Sequence, residues 1–139
     1  MNNDTIFTQI INRQIPSYII YEDNKVISFL DINQFTKGHT LIVTKQEYTN
    51  ITEVPENTFL HLFKIVQKIS KTLIKTLKPK GLNIINNNGI IAGQTIFHFH
   101  IHLLPRFNEK EIIFNFNKNS KLNSEYFTKI QKNIINNIK

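Results

Sequence analysis

The run His98-Phe-His-Ile-His102, with Phe97 before it and Leu103 after it, alternates imidazole and apolar side chains without a break. Side chains on a strand point to opposite faces in turn. The run therefore predicts a strand with three imidazoles on one face and Phe97, Phe99, Ile101 and Leu103 on the other. On a helix the same residues would scatter around the axis, leaving neither a histidine cluster nor an apolar stripe. Aromatic and β-branched content supports the strand, and Gly93 before it and Pro105 after it suit its ends. Imidazoles about 7 Å apart along one face repel when protonated, so sharing a face predicts a common ligand, anionic or metallic.

The chain has 139 residues, enough for one compact domain with a hydrophobic core. It has no Cys, which excludes disulfides, thiolate metal ligands and a cysteine nucleophile. No apolar run reaches the length of a transmembrane helix, and the start MNNDTIFTQI lacks the basic and long apolar segments of a signal peptide. A soluble, cytoplasmic protein with no membrane partner is expected. The formal charge of +7 favours anionic ligands in general. Lys64, Lys68, Lys71, Lys75 and Lys78 form a basic stripe at helical spacing, with no interleaved aromatics to stack bases. The stripe reads as a solvated helix face, and no nucleic-acid partner is expected.

In chain order, Asp4 or Thr5 can cap a short amphipathic helix carrying Ile6, Phe7, Ile10 and Ile11 and ending before Pro16. Tyr18 to Tyr21 and Lys25 to Ile32 read as two strands of a hairpin around Glu22, Asp23 and Asn24, with Asp31 closing an apolar run. After the loop Asn33 to Gly38, His39 opens a strand reaching Thr44. A long helix spans about Pro55 to Leu77, packing through Leu62, Val66, Ile69, Leu73 and Leu77, and its His61 is read as structural. Leu82 to Asn86 is a strand. The loop Asn87 to Thr95, rich in small and amide residues, can aim N–H groups at a phosphate before the histidine strand begins. Beyond Arg106 come a polar stretch with an apolar knot, Ile112, Ile113, Phe114 and Phe116, and an amphipathic helix from Ser124 to Ile138.

Two chemistries suit three such histidines. They can bind a divalent metal, since His-x-His directs two nitrogens to one ion. Alternatively, the middle imidazole attacks phosphorus or an acyl carbon while its neighbours orient it and stabilise charge. Spacing leaves both open.

The run His98-Phe-His-Ile-His-Leu-Leu104 resembles the signature of the histidine triad (HIT) family of nucleotide hydrolases and transferases. IFTQIINRQIPSYIIYED, VISFLDI, KGHTLIVTK and NNGIIAGQT resemble, in the same order, matching segments of the family's Hint branch. The resemblance covers roughly residues 4 to 107, so the expected organisation is a HIT domain over 1–107. Residues 108–139 then form an extension packed on the same domain or on a partner subunit. It implies an α+β fold with an antiparallel sheet, a long helix and a short N-terminal helix, the sheet extended across a homodimer. The implied activity is hydrolysis of nucleoside 5′-phosphoramidates, purine nucleotides preferred, through a nucleotidyl-histidine intermediate. The alternatives are a dinucleoside polyphosphate hydrolase and a nucleotide-binding adaptor with incidental turnover.

Carried over by residue, the resemblance makes His100 the nucleophile, with His98 and His102 flanking it and His39 hydrogen-bonding within the triad. Asp31 would hold the ribose, and Ile6, Phe7, Ile10, Phe29 and Ile32 the base. Asn87, Gly93, Gln94 and Thr95 would form the phosphate loop. No metal or other cofactor is expected. The chain departs from Hint proteins at Leu30, where they often carry a polar residue, in lacking Trp, in its Leu104-Pro-Arg-Phe ending, and in lacking the Cys ligands of a structural zinc found in some relatives.

Overall fold

The computed structural model describes residues 4–138. The first three residues of the expected domain therefore lie outside the described residues. The elements are α1 (Ile6–Ile11), β1 (Ile19–Glu22), β2 (Val26–Leu30), β3 (Thr40–Thr44), α2 (Glu56–Leu77), β4 (Gly81–Ile85), a 3₁₀ turn (Ile90–Ala92), β5 (His100–Arg106) and α3 (Ser124–Asn137). The strands form one sheet in the order β1-β2-β3-β5-β4, every neighbouring pair antiparallel. This is the α+β arrangement expected.

Both faces of the sheet are covered, so its central strands are apolar on both sides. One face packs under α2: Val26, Ile42, Phe99, Ile101 and Leu103 meet Leu62, Ile65, Val66, Ile69 and Leu73. The other carries Ile27, Phe29, Leu41 and Val43 against Phe7 and Ile10 of α1. Period-2 alternation in β2, β3 and β5 distributes these residues between the two cores. The lysine stripe lies along the exposed side of α2, and Lys68 Nζ sits 4.9 Å from the Tyr21 ring centroid.

Several boundaries differ from expectation. The β5 ladder begins at His100, so His98 lies in the bend before it, and Phe97, expected on the apolar face, is exposed. Pro105 belongs to β5 because β3 pairs only as far as Leu103; beyond it the strand has a neighbour on the β4 side alone, where a missing N–H is tolerated. β2 stops at Leu30, which places Asp31 and Ile32 in the following turn, and His39 lies just before β3. α1 ends at Ile11, where Arg13 takes a left-handed φ of 58°. α2 starts one residue after Pro55 and ends with Lys78 in the left-handed conformation. Asp23 closes the β1–β2 hairpin, accepting from the N–H groups of Lys25 and Val26, and its other oxygen receives Tyr21 and faces His61. His61 thus ties α2 to the hairpin. α3 is capped by the Asn123 side chain, and none of its residues is buried against its own domain.

Candidate active site

The face of the sheet under α1 is not fully closed. Between α1, the turn after β2 and the start of β5 lies a cavity of about 470 Å³. Ile6, Phe7, Ile10, Phe29 and Ile32, the expected base slot, all line it, as do Asp31, Thr95, His100 and His102. Ile15 to Ser17, Leu30, Asn33, Phe35, Leu41 and Ile96 complete the wall. Residues far apart in sequence meet here because β2, β3 and β5 are adjacent in the sheet and α1 lies across them.

β5 turns His100 and His102 towards α1, opposite Ile101 and Leu103. The ring of His100 packs edge-on against Phe7, with centroids 4.9 Å apart, and that of His102 lies 4.9 Å away on its other side. His100 Nδ1 is 2.6 Å from the carbonyl oxygen of His98. A carbonyl only accepts, so Nδ1 carries the proton and, in the neutral ring, Nε2 keeps its lone pair. The same logic applies to His98, fully buried, whose Nε2 is 2.6 Å from the Thr44 carbonyl and whose Nδ1 is 3.1 Å from Thr5 Oγ1. His98 does not line the cavity. It acts on His100 through its backbone rather than by presenting its ring beside it.

His39 Nε2 is 2.9 Å from His102 Nδ1, and Asp31 Oδ2 is 3.7 Å from the same His39 nitrogen. The N–H of Phe35 points at His39 Nδ1, 3.3 Å away, which favours Nε2–H donating to His102 Nδ1. The Phe35 ring covers His39, with centroids 4.9 Å apart. Each of the four imidazoles is pushed below the ordinary histidine value, chiefly by burial. For His102, the neighbouring His100 and His39 add to the effect, and its pKa falls to about 4. At His100 burial is the main cause, with the neighbouring His98 and His39 adding to it, and the neutral ring is favoured.

Asp31, His39 and His102 each bring a ligand atom within 4.8 Å of the others, a spacing that suits a divalent ion. An ion there would displace the proton that His39 and His102 share. The loop before β5 is braced by its own amides. Gln94, buried, takes the N–H of Gly89 on Oε1 and donates Nε2 to the carbonyls of Thr49 and Ile96. Asn88 accepts from Ile51 N–H, and Asn86 donates to the His100 carbonyl. Gly93 holds a φ of 88°, a left-handed conformation, beside half-buried Asn87. Thr95 lines the cavity, and Asn87, Gly93 and Gln94 do not.

Among the described residues no helix is long and apolar enough to cross a membrane. A family model described as the HIT domain matches residues 12–109. The chain is 45% identical over 102 residues to Protein hit of Bacillus subtilis, spanning 73% of this chain and 70% of that protein. It is 37% identical over 106 residues to an adenylylsulfatase of Arabidopsis thaliana, spanning 76% of this chain and 54% of that one. The crystal structure of a HIT family protein from Bacillus anthracis superposes with a TM-score of 0.92 at 38% identity, covering 100% of both chains.

Proposed function

The chain belongs to the HIT family, and from that premise we propose that it is a nucleotide hydrolase of the Hint type. It cleaves nucleoside 5′-phosphoramidates, purine nucleotides by preference, at the α-phosphate, through a nucleotidyl intermediate on His100. One observation carries this reading: the bond from His100 Nδ1–H to the His98 carbonyl leaves the Nε2 lone pair of a neutral imidazole in the wall of a nucleotide-sized cavity.

In this reading the base lies against Ile6, Phe7, Ile10, Phe29 and Ile32, and Asp31 receives the ribose hydroxyls beyond the end of β2. The phosphate sits between Thr95 and the cavity-lining edges of His100 and His102. Among the described residues the Asn87 side chain makes no hydrogen bond, which leaves its amide free to turn towards a phosphate. His100 Nε2 forms the bond to phosphorus and the phosphorus–nitrogen bond breaks. The departing nitrogen takes a proton from His102, whose imidazolium an anionic phosphate favours against the pull of burial. Water then attacks phosphorus, releases the nucleotide and returns a proton to His102, so the enzyme ends as it began.

A homodimer is part of the proposal. Leu60, Phe63 and Ile74 on α2 and Ile84 on β4 are exposed apolar side chains, and β4 is an edge with a ladder neighbour on one side only. The extension 108–139, whose helix buries nothing in its own domain, is proposed to pack on the partner. The Arabidopsis relative's name, adenylylsulfatase, favours a second reading in which an adenylyl group leaves a different acceptor, dinucleoside polyphosphates included.

The test is AMP release from adenosine 5′-phosphoramidate with a chelator present, comparing wild type with folded His100→Ala. Mass spectrometry after an alkaline quench looks for an adenylyl adduct on His100. Turnover by the wild type alone, with the adduct, supports the proposal. Turnover abolished by the chelator points instead to an ion on Asp31, His39 and His102. Faster release from diadenosine polyphosphate moves the assignment to the second reading.

A further inference from the structure

We propose, building on the reading of His100 as nucleophile, that Thr5 is a positioning residue that holds the nucleophile through His98. Thr5 closes two contacts with one hydroxyl. As the N-cap of α1, its Oγ1 accepts from the N–H of Thr8 at 3.2 Å. The same oxygen lies 3.1 Å from His98 Nδ1. The Thr44 carbonyl fixes the His98 proton on Nε2, so Nδ1 presents a lone pair and the Thr5 hydroxyl is its donor.

His98 lies in the bend before β5, outside the ladder, so strand pairing does not hold its ring. The peptide joining it to Phe99 is anchored at its N–H by the Tyr48 carbonyl, 2.6 Å away. The ring is anchored by Thr44 and Thr5. Together these fix the carbonyl that receives His100 Nδ1–H and thereby select the tautomer with a free Nε2. Without the Thr5 hydroxyl, a fully buried ring nitrogen has no partner, and the ring gains by tilting away from its place.

The clasp also joins the substrate wall to the chemistry. Phe7, two residues into the helix that Thr5 caps, packs edge-on against both His98 and His100, with centroids 5.9 and 4.9 Å away. Thr8 Oγ1 donates to Glu47 Oε2 at 2.8 Å, which ties the first turn of α1 to the segment following β3. A base pressed against Ile6, Phe7 and Ile10 thus seats the same helix turn that orients the nucleophile.

The experiment compares wild type with Thr5→Ser, Thr5→Val and Thr5→Asp, using ¹⁵N-histidine NMR for ring tautomers and phosphoramidate turnover for kcat and KM. Thr5→Val, which loses cap and donor, lowers kcat about tenfold, the equivalent of one lost hydrogen bond, with KM moving less than about twofold. Its His98 Nδ1 signal moves downfield, to that of a lone pair without a donor, while Nε2 stays protonated against the Thr44 carbonyl. Thr5→Ser restores both readouts. Thr5→Asp keeps the cap but only accepts, so His98 takes up a second proton to meet it, kcat stays low and the pH profile gains an ionisation. A wild-type His98 Nδ1 signal together with wild-type kcat in Thr5→Val overturns the proposal. So does full recovery in Thr5→Asp, which would make capping the whole effect. If the wild type turns over no nucleotide, the reading of His100 fails, and the tautomer signals alone still decide what Thr5 does.

Discussion

Replacing His102 by Gln should remove a large share of the protein's sensitivity to acid. The His102 imidazole is held at about 4 against an ordinary 6.5 by burial and by the neighbouring His100 and His39. Its folded-state value is lowered, so between those two values the unfolded chain binds the proton and the folded chain does not. Stability therefore rises with pH across that window and is lost as pH falls through it. For a single group with this displacement, going from about pH 7 to pH 5 costs about 2 kcal/mol, most of it below pH 6.5. His39, His98 and His100 are displaced in the same direction, so the wild type loses more than this in total. The assay is urea unfolding of both proteins at several pH values across the window, with the slope of stability against pH compared. His102→Gln should be shallower by about 2 kcal/mol over the range. Parallel curves for the two proteins would refute the reasoning, because they would mean that His102 is protonated in the folded state.

Other perturbations test the scaffold. Gly38 holds a φ of +83°, and a Cβ there would overlap Leu77 Cδ1. The leucine methyl can swing aside but the left-handed backbone cannot change, so Gly38→Ala should lower stability by about 1–2 kcal/mol, measured by thermal or urea unfolding. Gln94→Ala strands the N–H of Gly89 and the carbonyls of Thr49 and Ile96. It should cost about 2 kcal/mol and speed amide exchange at Gly89 well beyond that at core positions in α2.

The elements most legible in the sequence were those whose period matched a buried face. The 3- and 4-residue spacing of Leu62, Val66, Ile69 and Leu73 located α2 to within a residue, because the whole face is covered by the sheet. His39, His100 and His102 meet because β3 and β5 are neighbours, which strand alternation indicates only once the pairing is known. Alternation predicts His98 on the ladder, but a period-2 pattern carries no mark of where hydrogen bonding starts, and β5 begins at His100. Its ring is buried by Thr5 and Thr44, contacts that span 93 and 54 residues. Phe35 carries no signal inside a polar loop, because its ring over His39 follows from the turn geometry of residues 31–39, which composition does not encode. Gln94 is expected in the phosphate loop from residue type; the three internal hydrogen bonds it makes are a matter of conformation, which residue type does not encode.

The two-sided burial of β5 bears on how such a protein can be altered. Phe99, Ile101 and Leu103 are locked into one core, while His100 and His102 stand in the cavity wall on the reverse side. No position from 99 to 103 is idle, so a library randomised across that strand would lose folding and chemistry together, and a screen for activity could not tell which had gone. Diversity aimed at a new specificity belongs at the rim, at Ile6 and Ile32, which face the cavity yet remain exposed. There a side chain can be exchanged for fit alone, and inheritance of the fold is left to the strand behind it.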